Sequence, residues 1–270
     1  MTTITTSKGK VEIRELNSVT DMVAAEKIQL TVWGKDTIPN CKELFIPMQH
    51  EGGLVAGAFA ENGEMIGLVF GFPCSEQGVM HSQLVATLKE WRSHGIGTQL
   101  KWYQRAWCLE HGYQKMRWTV DPLRAANAEL NIRKLGGTCC TYYENYYGPM
   151  LGIDAGAPSD RLLLEWDMTS DRVNGRAQGT PADVGFPQAG AAIQVIDGEP
   201  AKTRLDLQEE QVLIRIPDDF VSLAAGDAQL ANRWRLHTRE LFEHYFAHGY
   251  QITEFTRLGG PAYLLEKKKL

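Results

Sequence analysis

The most informative stretch of the chain reads Thr87-Leu88-Lys89-Glu90-Trp91-Arg92-Ser93-His94-Gly95-Ile96-Gly97-Thr98-Gln99-Leu100. The residues before it, Met80 to Leu88, predict a strand. Those after it predict a helix from Gly97 to His111. That helix is amphipathic, with Ile96, Leu100, Tyr103 and Trp107 at i, i+4, i+7 and i+11. The first N–H groups of such a helix have no intrahelical partner. Glycines at 95 and 97 let a ligand approach the backbone closely. The helix dipole adds partial positive charge at that end, so the turn suits a phosphate or pyrophosphate. Arg92 stands where its guanidinium can add a charge-assisted contact.

Two other phosphate patterns fail here. The Gly-x-x-x-x-Gly-Lys-Ser/Thr of a P-loop is absent. A dinucleotide fingerprint needs a third glycine where Leu100 stands, and it would open the domain instead of following several strands. A nucleotide-binding module is therefore disfavoured. With 28 Lys and Arg against 33 Asp and Glu the formal charge is −5, whereas a general nucleic-acid binder is normally basic, so no nucleic-acid partner is expected. The 270 residues are 43% apolar and 23% charged, which fits one large globular domain or a domain with an appendage. No apolar run approaches the roughly 18 residues of a membrane helix, so no membrane partner is expected. The polar start Met-Thr-Thr-Ile-Thr-Thr-Ser-Lys shows no secretory h-region. Cys41, Cys74, Cys108, Cys139 and Cys140 are scattered, odd in number and form no Cys-x-x-Cys pair. Neither a disulfide framework nor a metal site is expected, and a reducing cytoplasm fits best.

Upstream of the central stretch, Val11 to Leu16 reads as a strand. Ser18 to Gly34 reads as a helix with Ser18 as N-cap, and Cys41 to His50 as a second helix. Leu54 to Ala60 and Met65 to Phe72 form a hairpin around Asn62-Gly63. Downstream, Tyr113 to Val120 is a strand, Ala125 to Leu135 a helix, and Thr138 to Tyr143 and Arg161 to Met168 two more strands. Thr169 to Gly190 is rich in small and polar residues and has no period, so a linker or long loop is expected. Gln211 to Ile216, a helix from Ala228 to His248, and strands at Gln251 to Thr256 and Ala262 to Leu265 complete a smaller α/β unit. The tetrapeptide His-Gly-Tyr-Gln occurs at 111–114 and 248–251. Helix-stop chemistry at Gly112 and Gly249 explains it; a duplicated half-domain is the minority reading.

The run Arg92-Ser93-His94-Gly95-Ile96-Gly97, an Arg-x-x-Gly-x-Gly between strand and helix, resembles the pyrophosphate loop of the GNAT superfamily of acyl-CoA N-acyltransferases. The element order over residues 11–168 is similar to that fold too. Trp33-Gly34, Gly71-Phe72-Pro73, Asp121-Pro122-Leu123-Arg124, Lys134-Leu135-Gly136 and Asn145-Tyr146-Tyr147-Gly148 further resemble a bacterial subgroup of predicted GNAT acetyltransferases with an extended C-terminal region. The resemblance implies a mixed α/β (α+β) fold, with a central sheet flanked by helices. It implies an acyltransferase core over 1–168; the aperiodic 169–190 then reads as a linker, and 191–270 as an α/β extension whose stripe of Leu230, Trp234, Leu241 and Tyr245 is expected to pack on the core of its own chain or of a partner. It implies transfer of an acetyl or succinyl group from acetyl-CoA or another acyl-CoA to the amine of a small molecule, with an amino acid as candidate acceptor and no metal. A non-catalytic acyl-CoA-binding regulatory protein is the competing reading, and a homodimer is left open.

Carried onto this sequence, the family pattern lays the pantetheine arm along the backbone of Val85, Ala86, Thr87 and Leu88. Arg92, Ser93, His94, Gly95, Ile96, Gly97 and Thr98 hold the pyrophosphate. A backbone N–H of the strand polarises the thioester carbonyl, and a base takes the proton of the attacking amine. His81 is the candidate base. It lies eleven residues before Arg92, where several GNAT enzymes carry a glutamate. An ordinary histidine pKa near 6.5 suits the task; a histidine merely hydrogen-bonded at a strand end is the alternative. The sequence departs from the pattern at the general acid. The tyrosine that many members place four residues before the glycine ending the last core helix is Ile132 here, counted from Gly136. Either solvent protonates the departing thiolate or another tyrosine serves, with Tyr143 the candidate. Asn145 and Tyr147 are candidate acceptor contacts. Asn127, one turn before Asn131, is a candidate for the pantetheine.

Other constellations are weaker. His244 and His248 share a helix face, but a helix C-terminus favours histidine on its own account. Cys139-Cys140 points to opposite faces of a strand. Arg233, Arg235 and Arg239 are candidates to receive a carboxylate from acceptor or succinyl group, with an ion-paired face as the commoner role. Lys267-Lys268-Lys269 reads as a solvated tail.

Overall fold

A computed structural model of the chain describes residues 1–148, 158–179, 189–196 and 198–268. The chain separates into two compact units. One comprises Met1–Trp118 with Asp167–Thr169; the other comprises the described residues of 119–166 and 170–268. The sequence division at Met168 followed the family pattern, whereas the separation by contacts falls after Trp118.

The first unit contains β1 (Thr2–Thr6), β2 (Gly9–Glu15), α1 (Val19–Trp33), α2 (Lys42–His50), β3 (Leu54–Ala60), β4 (Met65–Pro73), β5 (Val79–Thr87), α3 (Ile96–Glu110) and most of β6 (Lys115–Val120). Its sheet runs β1-β2-β3-β4-β5-β6. Neighbours are antiparallel except β5 and β6, which are parallel. Local chemistry sets the boundaries. Ser18 caps α1 by accepting from the Asp21 N–H, and Gly34 ends it at φ 98°. Gly63 turns the β3–β4 hairpin at φ 81°. Helix α3 packs on β3, β4 and β5, α1 on β4 and β5, and α2 on β3, so β3 and β4 are almost wholly buried. This approach needs a glycine in β4. A Cβ on Gly67 would sit 2.9 Å from Leu100 Cδ1 and 3.0 Å from Ile96 Cγ2.

Strand β1 was not expected, because its threonines read as a polar terminus. It pairs along its whole length with β2, and the turn after it reaches the central loop. Ser7 Oγ lies 2.8 Å from His94 Nδ1. Lys8 donates to the Glu90 carbonyl, with its ammonium 5.2 Å from the centre of the Trp91 ring.

The second unit contains α4 (Ala125–Ala128), which runs on as one π-helical turn over Glu129–Lys134, then β7 (Thr138–Tyr143), β8 (Arg161–Asp167), α5 (Asp171–Ala177), β9 (Gly190–Ala191), β10 (Ile193–Ile196), β11 (Glu199–Thr203), β12 (Gln211–Arg215), α6 (Phe220–Gly226), α7 (Ala228–Ala247), β13 (Tyr250–Thr256) and β14 (Ala262–Lys267). Its strands run β8-β7-β13-β14-β12-β9, with β10 and β11 as a separate ribbon. Both units are thus mixed sheets with helices against them, in the expected α/β class. Several pieces differ from expectation. Helix α5 falls in the stretch read as aperiodic, started by Ser170, which accepts from the Val173 N–H. Residues 180–188 of that stretch, and Lys269 of the basic tail, lie outside the described residues. The ribbon and α6 were missed because each is short. The helix expected over Ala125 to Leu135 becomes the α4 and π-turn pair.

Helix α7 lies against β7, β11 and β13, burying Trp234, Leu241, Phe242 and Tyr245. Strand β13 pairs with β7, Ile252 opposite Cys139. The expected carboxylate-receiving arginines all hold carboxylates of the chain itself. Arg235, 1% exposed, grips Asp121 through two bonds of 2.7 and 2.8 Å. Arg239 grips the fully buried Asp160 through two of 2.9 Å and also bonds Glu144. Arg233 pairs with Glu199 at 3.0 Å. Burial pushes the Asp121 carboxyl up, but Arg235's hydrogen bonds and charge outweigh it and hold the group below its ordinary value. Truncation after Met168 would remove α7 and β13, take the arginine partners from Asp121 and Asp160, and uncover the apolar surface of β7 that α7 and β13 cover. Losing one partner of a buried pair costs about 3–5 kcal/mol. Residues 1–168 alone are therefore expected to aggregate; a soluble, monodisperse and active fragment by light scattering and assay would contradict this.

The repeated His-Gly-Tyr-Gln performs one job twice. His111 Nδ1 lies 2.7 Å from the Trp107 carbonyl and His248 Nδ1 2.7 Å from that of His244. Gly112 and Gly249 both take φ 83°. The two copies end α3 before β6 and α7 before β13, positions that are not equivalent, so helix-stop chemistry accounts for them.

Candidate active site

The predicted strand–loop–helix is present in the first unit. β5 pairs with β6 only through Val79, Met80 and His81. Beyond His81 it keeps β4 on one side and, among the described residues of its unit, has no strand on the other. The Leu88 N–H donates to the Ile66 carbonyl of β4. By alternation, Val85 and Thr87 turn their backbone groups away from β4, toward that free edge. An extended arm with amide groups can pair there as an added strand. Of the four residues named for the pantetheine arm, Val85 and Thr87 are half-buried, while Ala86 and Leu88 are buried.

The loop follows at the end of this edge. Lys89–Trp91 forms a single 3₁₀ turn. Ser93 takes φ 65°, and Gly95 is left-handed at φ 81° with open space where a side chain would stand. α3 then begins without a side-chain cap and without an acidic residue in its first turn. The Ile96, Gly97 and Thr98 N–H groups thus have no i−4 carbonyl. An uncapped helix start with open space before it fits a pyrophosphate, and an acidic first turn would have opposed one. Arg92 is exposed and directs Nε at the Thr87 carbonyl at 3.5 Å. His94 is turned to Ser7.

His81 stacks on Phe72, with ring centroids 5.1 Å apart. Burial pushes its pKa below the ordinary 6.5, a hydrogen bond with Gln83 works against this, and the charges of Lys101 and Arg117 add to it. A neutral imidazole at neutral pH is what a base requires.

Sequence reasoning missed the polar group beneath β5. Lys101 and Gln104 lie on the buried face of α3. Lys101 Nζ donates to Ser82 Oγ and to Gln104 Oε1, both at 2.9 Å, and sits 3.9 Å from the Trp118 ring centre. Their place on the buried face of α3 interrupts the apolar stripe, and the Ser82 partner that accommodates them is not visible locally. Burial pushes the Lys101 pKa from 10.5 down to about 7. An unfolded chain keeps this proton up to the ordinary lysine value, so between those limits the unfolded state binds more protons and stability rises with pH. Lys101→Met is expected to flatten that rise and to stabilise the protein most below neutral pH, where the buried ammonium is charged. Urea midpoints measured at about pH 6 and about pH 9 check this; a gain that is equal at both would refute it.

In the second unit the remaining candidates have local partners. Asn127 is exposed, and its carbonyl accepts from Asn131 Nδ2 at 2.8 Å. Tyr143 stacks on Tyr146 at 4.9 Å. Burial raises the pKa of its neighbour Tyr142, and the hydroxyl's hydrogen bond to Asp160, which accepts at 2.6 Å, raises it further. Asn145, at φ 46°, donates its N–H to Asp160. The Tyr147 hydroxyl lies 2.9 Å from Thr119 Oγ1. Ile132, where the family tyrosine would stand, is 1% exposed. No cluster of metal-ligating side chains occurs among the described residues, and no helix among them is long and apolar enough to cross a membrane.

Residues 22–136 match the acetyltransferase (GNAT) family model. These residues are a GNAT acetyltransferase domain. GNAT acetyltransferases use acetyl-CoA, and the loop and the free edge of β5 both fall within the matched range. Solved structures similar to the chain include the ribosomal-protein-S18-alanine N-acetyltransferase of Escherichia coli, 21% identical over 59% of this chain and 95% of that one, at a TM-score of 0.49. An N-acetyltransferase from Staphylococcus aureus is 17% identical over 59% and 99%, at 0.49. A Salmonella typhimurium protein described as an acetyltransferase and solved with its cofactor acetyl-CoA is 19% identical over 59% and 95%, at 0.48. Among curated proteins none matches.

Proposed function

We propose that this GNAT domain moves an acetyl or succinyl group from CoA to the amine of a small molecule, with an amino acid as the first acceptor to test. The observation that carries the reading is the continuity of β5's free edge with the uncapped, two-glycine start of α3. In this reading the pantetheine pairs with the backbone of Val85 and Thr87. The loop N–H groups and Arg92 hold the pyrophosphate, and a β5 N–H stabilises the charge developing on the thioester oxygen. His81 takes the proton of the amine as nitrogen attacks the thioester carbon. The C–S bond then breaks and the thiolate leaves as CoA. Solvent protonates that thiolate in this reading: Ile132 has no proton to give, Tyr142 is committed to Asp160, and Tyr143, the candidate tyrosine, packs on Tyr146.

The test is an amine panel with acetyl-CoA and succinyl-CoA, reading free thiol and acylated product by mass. Amino acids, polyamines and an N-terminal alanine peptide form its arms, the last because the Escherichia coli structure carries that substrate class in its name. Transfer to a small amine supports the proposal. Transfer to the peptide alone replaces the acceptor class. CoA binding with no transfer across the panel would favour the regulatory reading.

A further inference from the structure

We infer that the second unit carries a pocket for a small anionic ligand, bearing a phosphate or carboxylate group, centred on Arg215. A cavity of about 560 Å³ lies there, lined by Ile193, Val195, Lys202, Arg204, Arg215 and Gly259 among others. Small-molecule sites usually occupy roughly 300–1,000 Å³. Three of these side chains are cationic, and among the described residues no lining side chain is acidic. Asp206 is the nearby carboxylate. It pairs with Arg204 at 3.3 Å and is 74% exposed. Glu209 lies further along the same loop, within charge range of Arg204.

Arg215 is built in differently. It is half-buried at the end of β12 and forms no ion pair or side-chain hydrogen bond with a described residue. Its guanidinium instead lies on the β13–β14 turn. A Cβ on Gly260 would be 2.8 Å from Nη1, and one on Gly259 3.1 Å from Nη2. Both glycines also take positive φ, 68° and 108°. The turn therefore needs glycine twice over, for its own path and for room to seat the fork. A half-buried guanidinium braced by backbone, with no carboxylate partner among the described residues, is poised for an anion from outside. Its planar donors match a carboxylate or phosphate in bidentate fashion. Lys202 adds charge, Gln194 a neutral polar group, and Ile193 and Val195 an apolar wall for the body of the ligand.

Calorimetric titration of the full chain with inorganic phosphate and, separately, with succinate tests the assignment. Saturable binding is expected, weakened at least about tenfold in Arg215→Gln by loss of a bidentate charge-assisted contact. CoA affinity should stay unchanged in that variant, because the CoA loop lies in the other unit. Arg215→Lys should retain part of the binding. Lys202 is exposed, so Lys202→Gln is safe for folding and should weaken binding even if Arg215→Gln fails to fold. Binding of phosphate alone or of succinate alone identifies the group and supports the pocket. Equal binding by wild type and by folded Arg215→Gln and Lys202→Gln, or no saturable binding of either probe by wild type, overturns it.

Discussion

Gly97→Glu is expected to abolish CoA binding and leave a folded protein. Position 97 is in the first turn of α3, which has no side-chain cap and no acid of its own. A glutamate there brings a carboxylate to N–H groups that lack intrahelical partners. The helix dipole favours that carboxylate by about 0.3–1 kcal/mol, so the fold is not harmed. The site is then filled by the chain itself, and a pyrophosphate would meet both bulk and like charge. Each lost hydrogen bond to a charged group is worth about 1.5–3 kcal/mol. Losing two such bonds weakens binding by roughly a hundredfold or more. Gly97→Ala separates the two causes, since it adds bulk without charge and should bind CoA more weakly than wild type but better than the glutamate variant. Calorimetry with CoA, alongside a thermal melt, reads the result. Unchanged affinity in a folded Gly97→Glu protein would remove the loop from the cofactor site.

The loop was legible because its chemistry is local. A strand, two glycines and a helix stripe fix where free N–H groups must appear, and the structure places Gly95 at positive φ and leaves α3 uncapped. The α1 boundaries were legible for the same reason, through the Ser18 cap and Gly34. What escaped was set by partners distant in sequence. β1 is polar and becomes a strand only because β2 offers it an edge. Lys101 and Gln104 break the apolar stripe of α3, yet both are buried because Ser82 on β5 meets them. Gly67 reads as one more residue in an apolar strand until α3 is laid across it. The arginines of α7 show why charge pattern alone misleads: three guanidiniums on one helix suggested a receiver for an outside carboxylate, and the fold had already supplied Glu199, Asp121 and Asp160. Arg215 drew no notice in the sequence, since nothing local distinguishes a paired arginine from one that is seated on a glycine turn.

His81→Ala is expected to lower the acylation rate by roughly 10²–10⁴, the scale of a lost general base. CoA affinity should hardly change, because the base acts only once the amine attacks. The pH profile distinguishes this role from mere packing on Phe72. Burial holds the His81 pKa below 6.5, so the imidazole is neutral and competent at neutral pH. Activity of the wild type should therefore fall as pH drops through a value under 6.5, as the ring takes up its proton and can no longer accept one. In His81→Ala that acid limb should vanish, and any residual rate should instead climb toward high pH as free neutral amine accumulates. A packing role predicts something else: lower thermal stability, a modest and pH-independent loss of rate, and restoration of both by His81→Phe, which can still stack on Phe72. His81→Phe thus separates the two roles, since an aromatic ring without a proton site should rescue stability and leave the rate low. A His81→Ala protein with a near-normal rate from about pH 6 to about pH 9 would return the residue to packing and leave water on the free edge of β5 as the proton acceptor.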